Sequence, residues 1–93
     1  MLLTWDENKR RKTLVERGLD MADVSKIFDG QFVTDPDLRF EYGEKRFVTY
    51  GYLDGRLCAV VWTPRHKSLH IISLRKTNER EQITFKKRMG GPG

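Results

Sequence analysis

The chain is poor in metal-binding and thiol chemistry: it has one cysteine, Cys58, and two histidines, His66 and His70. One thiol excludes a disulfide framework and a cysteine-rich zinc site, and it fits a reducing compartment. So few soft ligands also argue against a dedicated metal enzyme, and no cofactor is expected. No apolar run approaches the ~18 residues that would cross a bilayer. Met1-Leu2-Leu3-Thr4-Trp5-Asp6 turns charged too early for a secretory signal. The expectation is a cytoplasmic protein. Gly-rich phosphate loops, nucleophile elbows and metal-spaced clusters are missing as well. With no internal repeat or linker, residues 1–89 read as a single domain, and 90–93 (Gly-Gly-Pro-Gly) read as a disordered tail.

What is present is charge and aromatic surface. Of 93 residues, 33% are charged and 38% hydrophobic, with ten aromatics, which suits a globular domain with one small core. The net charge of +5 is unevenly spread: residues 1–18 carry +2, 19–44 carry −5, 45–63 carry +2 and 64–93 carry +6. A basic C-terminal third beside an acidic middle points to a nucleic-acid-facing surface and a separate face for another partner. The alternative is an ordinary solvated surface.

Met1 to Trp5 reads as a short strand. Asp6 as N-cap and Gly18 as C′ residue bound a helix over 7–17, whose apolar content is only Leu14 and Val15. Asp20, with Asp23 three residues on, predicts a second capped helix carrying Met21, Val24, Ile27 and Phe28 on one stripe. Gly30 ends it, Phe32-Val33 reads as a brief strand, and Asp35-Pro36-Asp37 as a turn. Arg46 to Leu53 and Arg56 to Thr63 are strands joined at Asp54-Gly55, the signature of a type I′ hairpin. That turn sets Val48 opposite Val61 and Phe47 opposite Trp62. Cys58 to Trp62, apolar on both faces, should be a covered central strand. Pro64 to Lys67 predicts a turn, Leu69 to Leu74 a third strand, and Thr77 the cap of a last helix to about Lys87. Helices followed by a strand meander predict an α+β fold.

Arginine and carboxylate are the chemistry on offer. Arg39, Arg46, Arg65 and Arg75 fall at strand ends or turns, and Glu44 stands two residues from Arg46. A guanidinium fork matches phosphate oxygens and stabilises a charged phosphorane-like transition state. A carboxylate beside it can act as general base. Together they suffice for metal-free RNA cleavage by the ribose 2′-hydroxyl; surface ion pairing with the acidic segment is the other reading. Parity adds a condition: an odd turn after Thr63 puts Arg75 on the sheet face of Arg46, an even turn puts His70 there, and a site with both arginines needs the odd turn or a bulge.

An ordered set of segments carries a family resemblance. It comprises Trp5-Asp6-Glu7-Asn8-Lys9, Gly18-Leu19-Asp20, Asp35-Pro36, Gly43-Glu44-Lys45-Arg46, Gly51, Val60-Val61-Trp62-Thr63-Pro64-Arg65, and Ile71-Ile72-Ser73-Leu74-Arg75 with Glu81. From Leu3 to about Phe85 the chain resembles the BrnT toxins of bacterial type II toxin–antitoxin systems. The resemblance implies a RelE-like α+β fold, an antiparallel sheet with two N-terminal helices and a C-terminal helix. It further implies a ribonuclease that blocks translation, and a cognate antitoxin that dimerises, binds operator DNA and neutralises the toxin. Carried over residue by residue, it assigns functional roles to Glu44, Arg46, Arg65 and Arg75. Glu81 fits a family glutamate in the last helix, and Arg39 falls in a loop that varies. The catalytic set expected is Glu44, Arg46, Arg65, Arg75 and Glu81, and Arg39, His70, Lys76 and Arg80 are the RNA-binding candidates.

Three positions depart from the family pattern: Arg17 where a His often precedes the glycine, His70 where an Arg precedes Ile-Ile-Ser, and Phe85 where a Tyr is common. His70 replaces that arginine's charge only when protonated, so activity should depend on pH near ~6.5. The departures keep open a second function class, a non-catalytic RNA-binding or regulatory protein on the same fold. Trp5, Trp62 and Cys58 are expected in the core, and the other reading of Arg75 is an ion pair with Glu79 or Glu81 alone. The acidic segment Asp20 to Glu44 is a candidate antitoxin contact; the alternative is that the antitoxin covers the basic groove directly and blocks RNA.

Overall fold

The structure, a computed structural model, describes residues 1–90. Five strands form one sheet: β1 (Leu3–Trp5), β2 (Phe32–Pro36), β3 (Phe47–Leu53), β4 (Arg56–Arg65) and β5 (Ser68–Lys76). Their order is β1-β5-β4-β3-β2. All neighbours are antiparallel except β1 and β5, which run parallel with Trp5 beside Ile71. The expected purely antiparallel sheet is corrected on that point. The N-terminal strand thus enters the sheet at its β5 edge.

Helix α1 (Glu7–Arg17) is bounded as its caps predict: the Asp6 carboxylate accepts from the Asn8 N–H at 2.8 Å, and Gly18 adopts φ 68°. Its inward face is not apolar, and Leu14 and Val15 are exposed. Arginines fasten it instead. Arg10 forks onto Asp20 at 2.8 and 3.1 Å, and Arg17 donates to the Leu74 carbonyl at 2.8 Å. The expected second helix is split. Asp20 caps a 3-10 turn, Met21–Asp23, before the short α2 (Ser25–Asp29), its carboxylate accepting from Ala22 N–H at 2.9 Å. Met21, Val24 and Ile27 are nonetheless fully buried, joining Leu53, Cys58, Val60, Ile71 and Leu74 in the core, with Trp5 and Trp62 packed against it. Cys58 and Val60 lie on this helix-covered face. Gly51 belongs there too, because a Cβ on it would come within 2.6 Å of Ile27 Cγ2.

Other boundaries differ for physical reasons. Asp35 and Pro36 are not a turn; they complete β2, where Pro36 ends an edge strand and its missing N–H is not needed. The Asp54-Gly55 hairpin has both residues at positive φ, 49° and 81°, as type I′ requires. Its expected register, Phe47 with Trp62 and Val48 with Val61, is found. Strand β4 runs on through Pro64 and Arg65, leaving His66-Lys67 as the turn. The final helix, α3 (Glu79–Arg88), is capped by Asn78 and not by Thr77, whose buried hydroxyl donates to the Leu57 carbonyl at 2.9 Å. Of the expected tail, Gly90 ends the described chain and 91–93 lie outside the described residues.

Candidate nucleic-acid interface

On the sheet face opposite the core, α3 covers only one end. Phe85 is its buried residue and meets the Tyr52 ring edge-on at 5.6 Å. A capping box starts the helix: Asn78 accepts from Glu81 N–H at 2.8 Å and Glu81 accepts from Asn78 N–H at 3.0 Å. The rest of this face is open, a cleft of about 610 Å³ lined by Asp35, Arg39, Val48, Tyr50, Val61, Arg75 and Glu81 among others.

A β-bulge decides which cations reach it. Thr63 pairs with His70 and Trp62 with Ile71, but Val61 pairs with Ser73, so Ile72 is an extra residue on β5. The two-residue turn is even and brings His70 onto the face of Thr63. The bulge then reverses parity once, and Arg75, beside Ala59, returns to the same face. The position before Phe47 continues the register opposite Thr63, so Arg46 shares that face with His70 and Arg75.

The charged groups fall into two clusters. At the α3 end, Arg75 Nη1 and Nη2 donate to the two Glu81 oxygens, each at 2.8 Å, and Tyr50 OH donates to Glu81 at 3.5 Å. This fork holds the Glu81 carboxyl down at about 2, with its helix-cap bond adding to the effect. Burial, followed by the nearby Glu81 charge, pushes the Tyr50 phenol up and keeps it protonated. At the other end, Glu44 Oε1 accepts from Arg46 Nε and Nη2 at 3.3 Å, and the Arg46 guanidinium lies 4.0 Å from the centre of the Tyr42 ring. His70 shares a 2.8 Å hydrogen bond between Nδ1 and the Thr4 hydroxyl. Burial first, then the Arg65 charge, lowers its pKa below the ordinary 6.5, so it is neutral at pH 7. Arg65 is exposed two residues beyond Thr63 on β4. Arg75 sits beside Ala59 and Arg46 beside Thr63, so the two clusters are ~13 Å apart along the strand.

The remaining candidates lie elsewhere. Arg39 lines the cleft, but its Nε and Nη2 are held by Asp37 at 2.8 and 2.9 Å, and this fork keeps Asp37 ionised with a pKa of about 2. Arg80 is exposed on α3 and lines a smaller cleft with Val33, Asp35 and Arg88. Lys76 is turned away: it follows Arg75 in the strand and pairs with Cys58, a residue of the core face. Tyr50 and Tyr42 are the residues that reading the sequence missed. Tyr50 reads as an ordinary strand aromatic, and only its opposite parity to the core residue Gly51 marks it for the open face.

A half-covered sheet with arginines and carboxylates converging on its open face defines the class, a small α+β domain with one polar working surface. Residues 5–81 match the family model described as the ribonuclease toxin BrnT of type II toxin–antitoxin systems, and the chain belongs to that family. An RNA substrate and an antitoxin partner follow from that membership. No curated protein matches the chain by sequence. No helix among the described residues is long and apolar enough to cross a membrane.

Proposed function

We propose that the chain is a metal-independent endoribonuclease on a RelE-like scaffold, working along the open face in the cytoplasm. The observation that carries this reading is the bulge at Ile72, which puts Arg46, His70 and Arg75 on one surface. A face longer than one nucleotide fits successive phosphates of a single strand, with Arg75 at one end and Arg46 and Arg65 at the other.

The two carboxylates divide the work. Glu81 is a weak proton acceptor, because Arg75 holds its pKa far below neutral, and it serves to position the Arg75 fork. Glu44 spends one oxygen on Arg46, and its other oxygen has no protein hydrogen bond among the described residues. We assign the reacting phosphate to this end. Glu44 takes the proton from the 2′-hydroxyl, the 2′-oxygen bonds to phosphorus, and the bond to the 5′-oxygen breaks. Glu44 returns the proton to that oxygen, leaving a 2′,3′-cyclic phosphate and a 5′-hydroxyl. Arg46 and Arg65 carry the charge that builds on the phosphate. Neutralisation by a dimeric, operator-binding antitoxin belongs to the same reading, with the acidic segment 20–44 as its contact.

The test is cleavage of a long single-stranded RNA in excess chelator, run on wild type, Glu44→Gln and Arg75→Ala. The reading expects Glu44→Gln to bind RNA and not cut it, and Arg75→Ala to bind more weakly with a salt slope reduced by about one. Cutting that survives Glu44→Gln removes Glu44 as the base. RNA bound by wild type but never cut, with or without translating ribosomes, favours the regulatory alternative.

A further inference from the structure

The loop from Asp37 to Arg46, between β2 and β3, carries the feature that the reaction scheme leaves unused. Leu38 and Phe40 are among the most exposed large apolar side chains of the molecule, at 84% and 70%. They are not on a loose segment. The Asp37 side chain is 3% exposed and gathers the loop around itself. It accepts from Arg39 N–H at 3.3 Å, from the Arg39 guanidinium at 2.8 and 2.9 Å, and from Tyr42 OH at 3.4 Å. The loop base is closed by Asp37 N–H donating to the Arg46 carbonyl at 2.8 Å, and by Thr63 OH donating to the Lys45 carbonyl at 2.6 Å. Tyr42 is stacked on by Arg46 and met edge-on by Phe40 at 5.8 Å. Phe40 is therefore braced from one side and open to solvent on the other. The loop encloses a cleft of about 570 Å³ that shares Pro36, Asp37, Leu38 and Arg39 with the open face, so the two are continuous.

An exposed aromatic ring seated edge-on against Tyr42, in a cleft it lines with Arg39 and Arg46, has one well-matched occupant, an unstacked nucleobase. Its flat face replaces water on the ring while its phosphate stays on the cations. We propose that Phe40, braced by Tyr42 and Arg46, is a stacking platform for a base of the bound RNA strand, next to the phosphate held by Arg46. Leu38 widens the apolar floor of the same subsite. The proposal rests on the open face being the RNA-binding surface. Stacking accepts any base, so the platform adds affinity and fixes the strand's register, whereas hydrogen bonds to base edges would be needed to choose a sequence.

The test uses a short single-stranded 2′-O-methyl RNA with one internal 2-aminopurine, scanned through its positions, which cannot react by 2′-hydroxyl attack. Wild type should quench 2-aminopurine at one register. Phe40→Ala should lose that quenching and bind roughly five- to a hundredfold more weakly with an unchanged salt slope, and Phe40→Trp should restore both. Because the ring is largely exposed, the variants should melt as wild type does, which a thermal scan checks. If Phe40→Ala binds and quenches as wild type does while Arg75→Ala binds weakly, the platform is refuted and the RNA face stands. If Arg75→Ala and Phe40→Ala both bind as wild type does, the RNA face itself fails, and the platform with it. A Phe40→Ala protein that keeps full RNA affinity but no longer binds its antitoxin also overturns the platform and gives the loop to the protein partner.

Discussion

Glu81 grips Arg75 with both carboxylate oxygens, and with one of them it also closes the capping box of its own helix. One side chain thus ties α3 to the sheet and starts α3. Its pKa is held at about 2 against an ordinary 4.5, so the folded state favours the ionised form. The stability this gives is complete above about pH 4.5 and is lost as pH falls from 4.5 towards 2. Asp37, lowered from 3.8 to about 2 by Arg39, adds to the same acid limb. Glu81→Gln should cost about 1 kcal/mol at pH 7, since Arg75 is partly solvated, and should flatten the acid limb. Urea unfolding at pH 7, 4, 3 and 2.5 measures both; parallel curves for the two proteins would contradict the assignment.

Gly51 has no room for a methyl group. A Cβ there meets Ile27 Cγ2 at 2.6 Å and Phe32 Cβ at 3.3 Å, so Gly51→Ala must push α2 off the sheet. The expected loss is about 1–3 kcal/mol, read as a shift of the denaturation midpoint. Removing the obstacle with Gly51→Ala/Ile27→Leu, leucine having no methyl branch at Cβ, should give a double variant that loses less than the sum of the two single losses, a coupling that independent sites would not show.

His70 is neutral at pH 7 and gains its charge only below the ordinary 6.5. RNA affinity at fixed salt should therefore rise as pH falls, with its midpoint under 6.5, by roughly fivefold for one partly exposed charged contact. The expectation from sequence put this change near 6.5, and burial beside Arg65 moves it to lower pH. His70→Gln should remove the rise. Binding titrations that rise equally in both proteins would assign the effect to another group.

Asp20 has two tasks, receiving the Arg10 fork and capping the 3-10 turn. Asp20→Ala should cost about 1–2 kcal/mol, and Asp20→Asn, which keeps an acceptor for the cap, noticeably less. Equal losses in thermal melts would show that the fork alone matters.

The legible part of this fold was whatever local chemistry specifies. Asp6, Gly18 and Asp54-Gly55 announce their caps and turn because each satisfies a backbone requirement within a few residues. The hairpin then fixes the β3–β4 register. The bulge at Ile72 leaves no local mark, since any residue of a strand can be the extra one. Reading parity along β5 could state the condition for a shared face but not that it was met. Lys76 was expected to bind RNA, and strand alternation sends it to the face opposite Arg75. Asp35-Pro36 read as a turn because its composition is that of turns, while its place at a sheet edge is a tertiary fact. At the site, Arg75 was legible as a partner of Glu79 or Glu81, and the structure gives it Glu81. Tyr50 was not, because an aromatic in a strand looks the same whichever face it takes.

Among the described residues, strand β1 pairs with no strand but β5, so residues 3–5 wait for residues 69–71 before they can enter the sheet. A chain emerging from the ribosome holds β1 unpaired until β5 has been made, and such long-range closure slows folding. Arg75 and Glu81 come later still. The open face, which needs Arg75 and Glu81 as well as Arg46, is thus assembled only after β5 and α3 have joined the earlier strands.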